Sequence, residues 1–78
     1  MLPRGSVVLL RPGHRLERMA KVRVESWHPR LAAYEGIQLG MGYKPGVTVL
    51  PPLRVFREDR VAAVWVGRGF QYVLPGVL

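Results

Sequence analysis

The chain has no cysteine, which excludes a disulfide framework and any thiolate metal site and fits a reducing compartment. Histidine is scarce too. His14 and His28 stand far apart with no carboxylate at ligand spacing, so no zinc or iron site is expected and no cofactor is implied. No apolar run approaches the ~20 residues of a membrane-spanning helix. The short run that follows Met1-Leu2-Pro3-Arg4-Gly5 is stopped by Arg11 and Pro12 and lacks the order of a signal peptide. A cytoplasmic protein with no membrane insertion is the expectation. Hydroxyl nucleophiles are limited to Ser6, Ser26 and Thr48, none in a recognisable elbow, and the few acids are interleaved with arginines rather than paired for acid–base work. Gly40-Met41-Gly42 is too sparse for a phosphate-cradling loop. The residues therefore predict a protein that is not an enzyme.

Negative charge is the remaining shortage. Five acids stand against twelve bases, for a net charge of +7, and ten of the twelve bases are arginine. Residues 1–30 carry seven of them (Arg4, Arg11, Arg15, Arg18, Lys21, Arg23, Arg30) against Glu17 and Glu25. A basic first half suits an anionic partner such as nucleic acid, an acidic protein face or a lipid headgroup; a solvated arginine-rich surface accounts for it equally well. At 78 residues the chain reads as a single domain spanning 1–78. A domain of that size buries only about 60% of the surface its unfolded chain exposes, so its core must be packed well or completed by a partner.

What the chain does have is β signal with Pro and Gly punctuation. Ser6 to Leu10 is an apolar strand-like run stopped by Arg11-Pro12-Gly13. From Met19 the pattern alternates, with Ala20, Val22 and Val24 on one face and Lys21, Arg23 and Glu25 on the other, until Ser26-Trp27-His28-Pro29 breaks it. Pro29 then opens a predicted short helix in which Leu31, Tyr34 and Ile37 or Gln38 recur at helical spacing. Gly40 or Gly42 ends it. Lys44-Pro45-Gly46-Val47 has the residues of a type II turn and leads into a strand over Val47 to Leu50. Leu53 to Arg57 and Arg60 to Val66 read as the arms of a hairpin around Glu58-Asp59. Gly67-Arg68-Gly69 turns a second hairpin into Phe70 to Leu74, and Pro75-Gly76 closes the chain. Five or six short strands and one short helix describe a small barrel.

Two stretches bear on function. Val61-Ala62-Ala63-Val64-Trp65-Val66 is apolar on both faces, so it is either sandwiched or covered by another molecule, and Trp65 is the candidate for a partner or subunit contact as against plain core packing. Arg68-Gly69-Phe70-Gln71-Tyr72-Val73 resembles the base-Gly-aromatic-small-aromatic strand of RNA-recognition and cold-shock domains, with Gln71 in the small position; a hairpin with core aromatics is the preferred reading. Arg15, Arg18, Lys21 and Arg23 could line a barrel edge and, with Arg68, meet phosphates.

The order Leu10-Arg11-Pro12-Gly13, strand, short helix, Met41-Gly42-Tyr43-Lys44-Pro45-Gly46-Val47-Thr48-Val49, then a hairpin turning at Gly67-Arg68-Gly69, resembles the FeoA-type proteins, small cytoplasmic accessories of ferrous iron uptake. The resemblance covers most of the chain. It implies an SH3-like barrel of five or six strands with one short helix, without enzymatic activity, that binds the cytosolic part of an iron transporter. On that reading the partner-binding residues are Trp65, Gly67, Arg68, Gly69 and Phe70. The alternatives are a basic barrel binding nucleic-acid phosphates through Arg15, Arg18, Lys21, Arg23 and Arg68, or a structural subunit of an oligomeric, phage-like assembly.

Overall fold

Alternation along residues 20–24 does what a period of two demands of a strand with one dry face: Ala20, Val22 and Val24 are buried while Lys21 and Arg23 are exposed. The computed structural model describes residues 1–40, 46 and 52–73, and within them this strand lies in a six-stranded antiparallel sheet. The strands are β1 (Val7–Leu10), β2 (Ala20–His28), β3 (Ala33–Gln38), β4 (Leu53–Phe56), β5 (Val61–Val66) and β6 (Gly69–Tyr72). Their order across the sheet is β4-β3-β2-β1-β5-β6. The protein is mainly β, and the one helical element among the described residues is a single 3₁₀ turn, Glu58–Arg60.

The helix predicted from Pro29 is not formed. Residues 29–32 make a turn, with the Leu31 amide donating to the His28 carbonyl (3.1 Å) and the Ala32 amide to the Pro29 carbonyl (3.2 Å). The chain then returns as β3, paired with β2 on one side and β4 on the other. Tertiary pairing overrides a weak helical pattern here: Tyr34 and Ile37 suit a strand, Gly36 disfavours a helix, and the same residues read at period two put Tyr34 and Gly36 on the dry face. β2 also runs through the expected break at Ser26-Trp27-His28. A bulge between Val24 and Ser26 absorbs one residue, after which Trp27 pairs with Tyr34 and His28 with Ala33.

The segments 53–57 and 60–66 are not arms of one hairpin. β4 pairs with β3 and β5 with β1, at positions one and five of the sheet order. In a flat sheet those positions would lie about 19 Å apart, four strand spacings. Only residues 57–60 separate β4 from β5, and the 3₁₀ turn shortens their reach. The sheet must therefore coil until β4 approaches β5, and its core records that. Val8 and Leu10 of β1, Ala20, Val22 and Val24 of β2, Tyr34 of β3, Phe56 of β4 and Val61 of β5 form one buried cluster, with Leu2, Trp27 and Val64 packed against it. The coiled sheet is not closed: among the described residues no ladder joins β4 to β5 or β6.

Tyr34 sits at the middle of the core, 1% exposed. Its ring lies 4.6 Å from that of Trp27 in a tilted pair and 5.6 Å from that of Phe56 in a stacked one. Its hydroxyl leaves the apolar interior by accepting the Leu2 amide at 2.9 Å, which ties the first residues of the chain across the base of the sheet. The type II turn at Lys44–Val47, the strand at Val47–Leu50, and the chain from Leu74 through Pro75-Gly76 fall outside the described residues, although Gly46 itself has the positive φ (84°) that the turn asks of it.

Candidate binding surface

The face of the sheet that turns away from the core is the one the apolar β5 run left open. Pairing places Arg23 opposite Val7, Lys21 opposite Leu9, Leu9 opposite Ala63, Ala63 opposite Tyr72 and Trp65 opposite Phe70, all on this outer face. Ala63 is fully buried between taller register neighbours, while Trp65 is 43% and Tyr72 64% exposed. Phe70 is half-buried. Trp65 and the two β6 aromatics thus stand outside the core cluster, and the reading of Phe70 and Tyr72 as core aromatics is corrected. The cause is topological: β5 spends its inward positions, Val61 and Val64, on the core, so Trp65 points outward by parity and carries Phe70 and Tyr72 with it across the β5–β6 ladder.

Trp65 and Phe70 form an edge-to-face pair with centroids 4.9 Å apart. The Lys21 ammonium stands over both rings, 5.5 Å from the Trp65 centroid and 5.9 Å from that of Phe70, within cation–π range. Two residue sets that the sequence presented as rivals, the aromatic turn region and the basic strand, therefore meet at one place. Gly67 takes a positive φ (61°) that lets the chain turn tightly between β5 and β6, and the turn presents Arg68 and Gly69 to solvent beside the aromatics.

The remaining predicted basic residues do not all join this platform. Arg23 lies on the same face but its Nε donates to a Glu25 carboxylate oxygen at 2.7 Å, so its charge is already answered. Arg15 and Arg18 lie in the loop between β1 and β2, both exposed, and Arg18 lines a separate cleft beside β4. The stripe Arg15, Arg18, Lys21, Arg23 is not one edge of the sheet, because the strand begins only at Ala20 and its exposed residues alternate from there.

Each histidine does meet a carboxylate, against expectation: His14 lies 3.8 Å from Glu17 and His28 3.7 Å from Glu35. These are pairs; among the described residues no group of three metal-ligating side chains converges. Among them, too, no helix is long and apolar enough to cross a membrane. Nothing in this register was visible to motif reading, since Lys21 and Trp65 belong to strands that meet only through β1. In comparisons with known proteins, no family model, no curated protein and no solved structure matches this chain.

Proposed function

We propose that the chain is a small, non-catalytic binding module of SH3-like barrel design, whose outer aromatic face takes single-stranded nucleic acid. The observation that carries the ligand class is the Lys21 ammonium poised over the exposed Trp65–Phe70 pair, with Tyr72 on the same face and Arg68 at the adjoining turn. Bases need flat aromatic surface and phosphates need unpaired cations; this patch supplies both, from the β5–β6 hairpin and from β2 across the single intervening strand β1. The paired rows that contain Lys21, Leu9, Ala63, Tyr72, Trp65 and Phe70 hold no carboxylate. The barrel design is supported by the coiled sheet, the bulged central strand and the 3₁₀ crossing from β4 to β5.

Titration of the protein with an oligothymidylate across a salt series, with light scattering on the same sample, tests this. Affinity should fall as salt rises with a log–log slope of about −1.4 if Lys21 and Arg68 each meet one phosphate, at roughly 0.7 per contact. Trp65→Ala should cost about 1–3 kcal/mol of binding free energy, and Lys21→Gln should lower the slope by about 0.7. A second reading keeps the same face for a protein, as the FeoA-type resemblance implies, with the cytosolic part of an iron transporter as partner; the exposed Tyr72 and Trp65 on that face favour it. No strand binding from a monomer would select that reading over ours. A discrete large ring would select the assembly subunit instead.

A further inference from the structure

A second cationic site, independent of the aromatic face, lies where the loop of residues 11–18 folds against β4 and the 3₁₀ turn. A cleft of about 160 Å³ is lined there by Arg11, Arg18, Arg54 and Arg60 above Leu10, Ala20 and Phe56, with Glu17 as its lone acid. Three of the four arginines are fixed by backbone or amide partners rather than by carboxylates. The Arg11 amide donates to the Arg60 carbonyl (2.8 Å), the Arg60 Nη2 donates to the Arg11 carbonyl (2.6 Å), and the Arg11 Nη1 donates to the Asp59 carbonyl (3.2 Å). Arg54 Nε donates to the Gln38 side-chain oxygen at 2.8 Å. The carboxylate of Glu17 is turned to the Gly13 amide and to His14. Among the described residues, no ion pair is made by any of the four guanidinium groups.

The arrangement is unbalanced. Four positive groups converge on one negative group, and the Arg11 Nη2 is buried without a hydrogen-bond partner. Clustered like charges repel, and an anion that accepts from several of the guanidinium groups at once would offset that repulsion. A tetrahedral oxyanion has the acceptors and the size for it: the cleft holds several times the ~30 Å³ that a water occupies in the liquid, and planar guanidinium forks match phosphate oxygens two at a time.

We propose that this cleft is a phosphate-binding site, formed by Arg11, Arg18, Arg54 and Arg60 and separate from the aromatic face. The phosphate is either a free small phosphate or the terminal phosphate of a nucleic-acid strand.

The test follows the arginine Nε–H resonances as inorganic phosphate is added, with sodium chloride at matched ionic strength as control, and repeats the titration with oligothymidylate carrying or lacking a 5′-phosphate. Saturable shifts at Arg11, Arg18, Arg54 and Arg60, with Arg4 and Arg30 unmoved, are expected. Response to inorganic phosphate identifies a small-phosphate site; response only to the 5′-phosphorylated strand identifies a strand end. Arg18→Gln and Arg54→Gln should each weaken binding about tenfold, Glu17→Gln should tighten it, and Trp65→Ala should leave it unchanged. Shifts no larger than those in chloride, or spread equally to Arg4 and Arg30, would overturn the site whatever the fate of the aromatic face.

Discussion

Gly36 is the residue on which the middle of the sheet depends. It lies on the core face of β3 opposite Val24, and a Cβ there would collide with the Val22 Cγ1 and come within 2.6 Å of the Arg23 carbonyl oxygen. Glycine thus serves here for space: its missing side chain is where the Val22 side chain packs. A backbone oxygen cannot step aside as a flexible side chain can, so Gly36→Ala should cost about 3 kcal/mol, the upper end of what overpacking a core does. A urea midpoint near that of the parent would show that the strands separate more easily than this packing allows. The same glycine counted as a flaw in a predicted helix, and in the strand it is a requirement. Ala32 is the opposite case, a non-glycine residue at φ 49° in the turn that leads into β3; the short return from His28 to Ala33 demands that conformation, and the alanine carries its cost.

At the scale of elements, the loop between β1 and β2 is held by a charge that titrates. The Glu17 carboxyl is kept below its ordinary range chiefly by the Gly13 amide that it accepts, helped by the neighbouring charges of His14 and Arg54 and opposed by desolvation. A depressed folded-state pKa means that the carboxylate form stabilises the fold above its unfolded value and that this contribution is lost as pH falls through the folded one. The difference in melting temperature between the parent and Glu17→Gln should therefore be full at neutral pH, shrink below about pH 4.5, the ordinary value for the group, and vanish at the acid end. A difference that persists unchanged into acid would mean that the loop is held without the charge. The pairing of β5 with β6 works differently. There the alternation of a two-residue period sends Trp65, Phe70 and Tyr72 to one side together, and β1 brings Lys21 within reach of the rings across a single intervening strand.

For the molecule as a whole, coiling of the sheet decides both the core and which side chains the candidate sites bring together. Phe56 is the buried side chain that β4 contributes to the core cluster, stacked on Tyr34 and 5% exposed. Removing it should release β4 from the core as well as leave a cavity, and Phe56→Ala is expected to cost about 3–5 kcal/mol. A chain of this length has a total stability on the order of 4–12 kcal/mol, so the variant should be largely unfolded at moderate urea. It should also lose the arginine cleft, whose floor is Phe56 and one of whose walls is Arg54. A variant that kept the parent's urea midpoint would mean that β4 is held by its ladder to β3 alone.

Period and punctuation were enough to read much of this fold. The strands at Val7–Leu10, Ala20–Val24, Leu53–Phe56, Val61–Val66 and Gly69–Tyr72, the dry face of β2 and the turn at Gly67-Arg68-Gly69 all follow from local alternation and turn chemistry. β3 did not, because Tyr34, Glu35, Gly36 and Ile37 satisfy a weak helical spacing as well as a strand, and only partners on both sides settle that choice. The separation of β4 from β5 was equally hidden, since a short connection between two strands normally makes a hairpin, and the sheet had to coil before the two could belong to opposite sides of it. The sites share that origin. Lys21 meets Trp65, Arg11 meets Arg60, and Arg54 lines the same cleft, through an arrangement of residues far apart in the chain. Local sequence determines which residues face out; which of them come together is decided by the order and curvature of the strands, which no local signal encodes.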